Sequence, residues 1–313
     1  MSDAPAPVRL RLTPEIEARV AERLVRRIDA RRDELVELAR ALIRVATPNP
    51  PGAGYAEAAA MIGERLAGRG FEVVYERALG APGDSQEHPR SNLIARVESR
   101  VPGPTVHISG RLDVAPAGEG WSADPFAAEL REGLIVGRGA AEVKGGLAAA
   151  IIALETLKEE LPRLPGAIEF SATADGLTGG AGGLGFLALL NYLEPPRVDH
   201  LILLEAGGVD AVMPAPDVED SPIMQALDQA AARLQLPALR RISLPASSGL
   251  HALSKAGLIA SLAAYGPGAA GGGRAVEESV AVADLTLAAK ILALAVHKVL
   301  SSAPLTASGP EPA

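Results

Sequence analysis

The sequence predicts an α/β fold: a three-layer αβα sandwich around a mostly parallel mixed sheet, in a single domain. Three observations predict it. Short β-rich runs alternate with apolar or amphipathic runs of about 10–16 residues, the pattern of strand–helix crossovers. The chain has 313 residues, 48% of them hydrophobic, enough to bury a continuous core. Turn signals from 33 Gly and 25 Pro punctuate the alternation, with no internal repeat and no linker.

A helix opens at Thr13-Pro14-Glu15, with an N-cap, a first-turn Pro and an acid favoured by the helix dipole. Ile16, Val20, Leu24, Ile28, Leu35, Leu38 and Leu42 keep helical spacing until Thr47-Pro48-Asn49-Pro50-Pro51-Gly52 stops it. A second helix covers Ala56–Ala67, and Phe71–Tyr75 reads as a strand. Asn92–Val97 and Thr105–Ser109 read as neighbouring strands, and Glu129–Arg131 with Leu134–Val136 as a hairpin. Helix Gly145–Glu160, strand Ala167–Ala172, helix Gly183–Tyr192 and strand His200–Leu204 follow. Then come helix Pro222–Leu234, strands Arg241–Leu244 and Ile259–Ala263, and a long helix from Val282 to Leu300.

Composition excludes several classes of function. Without Cys there is no disulfide scaffold, zinc ribbon or cysteine nucleophile. A net charge of -8 argues against nucleic acid and anionic membranes as partners. The opening MSDAPAPVRL lacks an apolar core, so no signal peptide is expected. Gly146–Thr156 and Leu285–Leu300 are too short or too interrupted to span a bilayer, and the expected location is cytoplasmic.

Chemistry in such a sheet sits at the carboxyl ends of the strands. Three loops fall there: Ser109–Pro116 (SGRLDVAP), Gly137–Gly146 (GRGAAEVKGG) and Thr173–Gly180 (TADGLTGG). Strand His200–Leu204 ends on Glu205, and Tyr265-Gly266-Pro267-Gly268 closes a later strand. In this order and spacing, the segments resemble the zinc-dependent aminoacylase, acetylornithine deacetylase, succinyl-diaminopimelate desuccinylase and carboxypeptidase G metallohydrolases. The resemblance runs over Asp33–Glu205 and Pro222–Leu300. It implies an αβα catalytic domain carrying an inserted lid, or dimerisation, domain. The chemistry it implies is amide hydrolysis by water held between two zinc ions.

Against that family the site positions are altered. The family's His-x-Asp, a metal ligand and the acid that orients it, falls on Arg111 and Asp113. The metal-bridging Asp falls on Glu142, and the next strand-end acid is Glu205. The paired glutamates, general base and ligand, fall on Gly176 and Leu177, and the final His ligand on Arg274. Residues 206–221 connect almost directly to the next helix, so the lid is read as deleted there. The expected organisation is a flexible N-terminus at 1–12, a catalytic-like domain at 13–301 and a disordered tail at 302–313. With the dimerisation lid gone, a monomer is expected.

An arginine cannot ligate a metal and repels one, and Glu142 with Glu205 alone makes a weak oxygen-only pair. Gly176 and Leu177 supply no base. No cofactor is therefore expected, although the family uses zinc. Arg111 and Arg274 are expected to pair with Asp113, Glu142 and Glu205 in a salt-bridge cluster, with Leu177 filling a former ligand's volume. The same arginines, with Arg138 and Lys144, offer a small molecule or anion a place in the old cleft. Intact flanking text beside the lost ligands and lid reads as redesign into a metal-free scaffold.

Competing readings stand beside this one. A residual metal-dependent hydrolase of N-acyl amino acids or peptides would use Glu142 and Glu205. Gly180-Ala181-Gly182-Gly183-Leu184-Gly185 imitates a dinucleotide fingerprint, but Asp175–Gly179 separate it from its strand. An interaction protein would use apolar surface uncovered by lid loss. His88, His107, His200, His251 and His297 show no ligand spacing, and Ser247-Ser248-Gly249 has no triad partner.

Overall fold

A computed structural model describes residues 13–79, 83–176, 198–215, 220–243, 249–257, 259, 261–269 and 275–302. Helices α1 (Pro14–Ala30) and α2 (Arg32–Arg44) replace the single long helix that the periodicity suggests. The break falls at Arg31, whose guanidinium pairs with Glu34 at 2.7 Å and reaches the buried Glu155. That pairing turns the chain so that α2 follows a new axis while both helices keep an apolar face inward.

Next come α3 (Tyr55–Gly68), β1 (Glu72–Arg77), β2 (Ser91–Glu98) and β3 (Thr105–Arg111). The hairpin β4 (Glu129–Arg131) and β5 (Leu134–Val136) follows, then a π-turn at Ala140–Lys144 that runs into α4 (Gly145–Lys158). Strands β6 (Ala167–Thr173), β7 (His200–Leu204) and β8 (Ala211–Pro214) lead to α5 (Pro222–Arg233). The chain continues through β9 (Arg240–Arg241), α6 (Gly249–Ala256), β10 (Ser261–Tyr265), β11 (Ser279–Ala281) and α7 (Val282–Ser302).

Eight strands form one sheet in the order β1-β2-β6-β3-β7-β10-β8-β9. Its central strands β6, β3, β7 and β10 are mutually parallel, while β1, β2 and β8 add antiparallel pairings. Strands β11, β5 and β4 make a small separate sheet. Strand β8, which the sequence pattern leaves within a connection, pairs antiparallel with β10. Strand β9 is shorter than expected and β10 begins two residues later. The predicted helix Gly183–Tyr192 lies outside the described residues.

Helices α4 and α7 are apolar almost all round and are buried accordingly, with α1, α2 and α5 packed against them and the sheet. On the opposite face α6 packs against β10, giving a second cluster around Leu201, Leu253 and Leu262. Among the described residues no helix is long and apolar enough to cross a membrane.

Two polar groupings sit inside this frame. Between α2, α3 and α4, Arg31, Arg65 and Arg69 surround Glu34 and Glu155. The arginine contacts hold the Glu34 carboxyl down at about 2, against the cost of its partial burial. On the sheet, His107 Nδ1 lies 2.6 Å from Glu169 and its Nε2 2.8 Å from Ser171, whose hydroxyl donates to Ser109 at 2.8 Å. All four are buried, so His107 is a paired interior residue.

Candidate functional site

Parallel pairing sets the site. Register Arg111↔Thr173 and Ser109↔Leu203 aligns the carboxyl ends of β6, β3 and β7, and Leu204↔Tyr265 adds β10. Extending the β3–β7 register by two residues puts Arg111 beside Glu205 on one face of the sheet. The π-turn then brings Glu142 to the same place from the start of α4.

At their meeting point Arg111 forks between two carboxylates. Its Nη2 lies 2.6 Å from Glu142 Oε1 and its Nη1 donates to Glu205 Oε2 at 3.1 Å. Burial works against the charged guanidinium, but Glu205, Glu142 and Asp113 outweigh it and raise its pKa further. Burial pushes the Glu142 carboxyl up, and Arg111 only partly offsets this. Glu142 Oε2 and Arg111 Nε are buried with no hydrogen-bond partner among the described residues.

Asp113 is fully buried just beyond Arg111, accepting from Asn49 Nδ2 at 3.0 Å and from the Gly176 amide at 3.1 Å. The same Asn49 amide donates to Asp175 at 2.6 Å. Asp175 holds a left-handed φ of 62°, a conformation costing about 1–3 kcal/mol that surrounding bonds must sustain. Arg90, above the Tyr55 ring at 5.3 Å, approaches Asp175 to 3.7 Å. Asn49 and the Gly176 amide thus hold Asp113 in the frame behind the fork, where its charge still acts on Arg111.

The absence of a side chain at 176 has a steric reason. A Cβ on Gly176 would lie 2.8 Å from Arg111 Cβ, 3.1 Å from its Cδ and 3.4 Å from Asp113 Oδ1. Arginine at 111 therefore requires glycine, or a shift, at 176. No sequence pattern announces that coupling.

The wall carrying Glu142 is fixed by Glu278. Its Oε1 accepts from the amides of Ala141 and Glu142, and its Oε2 from the Gly139 amide and Arg138 Nη1, all at 2.8–3.0 Å. Arg138 also stacks on Trp121 at 5.1 Å. Lys144 donates to the Val45 carbonyl at 2.5 Å, and burial drops its pKa to about 7. Gly268 lies so close to this wall that a Cβ there would overlap the Ala141 carbonyl.

The structure thus joins Arg111, Glu142 and Glu205 and sets Asp113 beside them in its own hydrogen-bond frame. Leu177, Arg274, the Gly180–Gly185 fingerprint and Ser247-Ser248 lie outside the described residues. Sequence reasoning missed Asn49, Tyr55, Asp175 and Glu278. Glu278 had one usable signal, an acid placed directly before a β-rich run. An anion finds no vacant cation in Arg111, Arg138 or Lys144: the first holds two carboxylates, the second Glu278, and the third a carbonyl.

Comparison with known proteins places the geometry. The model of peptidase family M20/M25/M40 matches residues 107–298, more than half of the chain. A succinyl-diaminopimelate desuccinylase of Thioalkalivibrio sulfidiphilus is 36% identical over 144 residues, covering 45% of this chain and 35% of that protein. One from Methylorubrum populi is 34% identical over 180 residues, covering 56% of this chain and 44% of that one. The chain spans less than half the length of these curated relatives. Among solved structures, an M20 metallo-carboxypeptidase of Sulfolobus solfataricus superposes with a TM-score of 0.66 at 12% identity. That likeness covers 86% of this chain and 99% of that one. A dinuclear metal-binding M20 peptidase of Bacillus subtilis gives 0.63 at 13% identity, covering 87% and 99%. These likenesses establish the fold.

The described residues do not fit a pair of metal ions. Among the described residues no group of three or more His, Cys, Asp or Glu side chains is placed to hold one. Glu142 and Glu205 carry oxygen donors alone, and a permanently charged guanidinium bridges them. Asp113 is engaged by Asn49 and the Gly176 amide.

Proposed function

Because the chain belongs to peptidase family M20/M25/M40, we propose that it is a non-hydrolytic member of that family, a metal-free scaffold. In it the Arg111 guanidinium stands where the relatives' chemistry calls for metal. The observation that carries this reading is the Arg111 fork between Glu142 and Glu205. A cation tethered to β3 neutralises the two carboxylates without offering an open position for water. Gly176 itself carries no side chain to serve as a base, and the Arg111 stem uses the space beside it. The short connection at 206–221 supports a lid-less chain, and such a chain is a monomer in the cytoplasm.

The test is the metal content of protein purified without chelator, followed by calorimetric titration with zinc. Turnover of N-succinyl-diaminopimelate, N-acyl amino acids and dipeptides is then measured with and without added metal. The expected outcome is substoichiometric metal, no saturable heat and no turnover. Stoichiometric zinc, or metal-dependent release of succinate or amino acid, overturns the proposal in favour of an active hydrolase built on Glu142 and Glu205.

A further inference from the structure

At the amino ends of β3 and β7, the opposite end of the sheet from Arg111, lies a cleft of about 580 Å³. Its walls are the turn before β3, the start of β7, the first two turns of α5 and the last turn of α7. Pro102, Pro104 and Pro222 give it a stiff apolar lining, because their φ angles are fixed. Its volume falls in the range of small-molecule sites.

The cleft carries charge of both signs. Asp199 uses Oδ2 to accept from the Thr105 amide at 2.7 Å, leaving Oδ1 as an acceptor. Across from it on α7, Lys298 touches Glu17 at 3.3 Å and retains further N–H donors. A smaller cavity shares Gln229 and Lys298 with this cleft and is lined by His297. His297 is only 4% exposed, and its Nε2 has no hydrogen-bond partner among the described residues. His200, in the main cleft, likewise has a buried Nδ1 without one. His200 lines the cleft and His297 the smaller cavity, so each imidazole adds a polar edge to its wall.

We propose that this cleft binds a zwitterionic small molecule of amino-acid to dipeptide size, with its ammonium at Asp199 and its carboxylate at Lys298. In this cleft a simple anion would face Asp199, and a simple cation would face Lys298. A zwitterion answers both signs at once, and the prolines cover an apolar side chain. This site is independent of the ion cluster at the other end of the sheet.

The test is calorimetric titration of the full chain with L-leucine and L-alanyl-L-leucine, each beside its N-acetyl and C-amide forms. The free zwitterions are expected to bind saturably, and each cap to weaken binding at least about tenfold. Asp199→Asn should weaken the free form while leaving the N-acetyl form unchanged, and Lys298→Met should do the same toward the amide. Glu205→Gln, at the other end of the sheet, should leave binding intact. Equal binding of capped and free forms, no saturable heat up to about 10 mM, or loss of binding through Glu205→Gln overturns the proposal. The capped series uses the unaltered protein, so it decides the matter even where a variant fails to fold.

Discussion

Among the described residues, one ion cluster lies between helices and another at the carboxyl edge of the sheet. In the first, Arg31, Arg65 and Arg69 face Glu34 and Glu155, so cations outnumber anions. In the second, Arg111 alone faces Glu142 and Glu205, with Asp113 close behind. The sign of the imbalance shows in the carboxyls: Glu34 is held at about 2, whereas Glu142 is pushed above its ordinary value by burial. A network selected for joining helices supplies spare arginines. At the sheet edge, by contrast, the acids outnumber the single guanidinium that faces them.

Several changes would break or sharpen that contrast. The largest effect is expected from Arg111→Met, which leaves Glu142 and Glu205 facing each other uncompensated. Loss of one partner from a buried ion pair costs about 3–5 kcal/mol, so urea midpoints should fall by that equivalent. Millimolar zinc or magnesium should raise the melting temperature of this variant and leave the unaltered protein unmoved. Equal metal response in both would mean that Arg111 does not occupy the cation position.

Next in size is Gly176→Ala. The new Cβ presses on the Arg111 stem, and overpacking of this kind costs about 1–3 kcal/mol. In an Arg111→Ala background the same change should cost much less, and a double-mutant cycle reads the coupling. Additive losses would refute the steric link between the two positions.

A smaller loss, about 1 kcal/mol, is expected for Arg65→Met, because Arg31 and Arg69 still face Glu155. Equilibrium denaturation beside Arg111→Met would then show the spare-cation cluster to be the more tolerant one. The smallest effect concerns pH. Glu34 has its folded value depressed to about 2, so its stabilisation is complete above the unfolded value near 4.5. That contribution is lost as pH falls from 4.5 toward 2, and Glu34→Gln should flatten the stability profile in this window alone.

The sheet was legible because its strands are short β-rich runs bounded by turns, and Glu129–Arg131 with Leu134–Val136 was placed to the residue. The break at Arg31 was not, since apolar periodicity continues through it and only a contact with Glu155, far along the chain, redirects the axis. The meeting of Arg111 with Glu142 and Glu205 follows from strand ends and a family resemblance. The role of Gly176 is a matter of interatomic space and leaves no trace in one dimension. One missed feature was readable: His107 and Ser109 alternate along β3 as Glu169 and Ser171 do along β6, a polar column with period two. Redesign is not needed to explain the intact text around the altered ligands. Arg138, Lys144 and Gly268 each meet a packing or hydrogen-bond demand that persists whatever occupies the site.

Glu278 carries a last consequence. It grips three neighbouring amides and Arg138, so the wall bearing Glu142 is preorganised by the chain alone. Many metalloproteins reach their working shape only when loaded, and their apo forms loosen or unfold. Here a carboxylate of the same chain fixes the amides of Gly139, Ala141 and Glu142, so a chelator is expected to leave the shape of this wall unchanged.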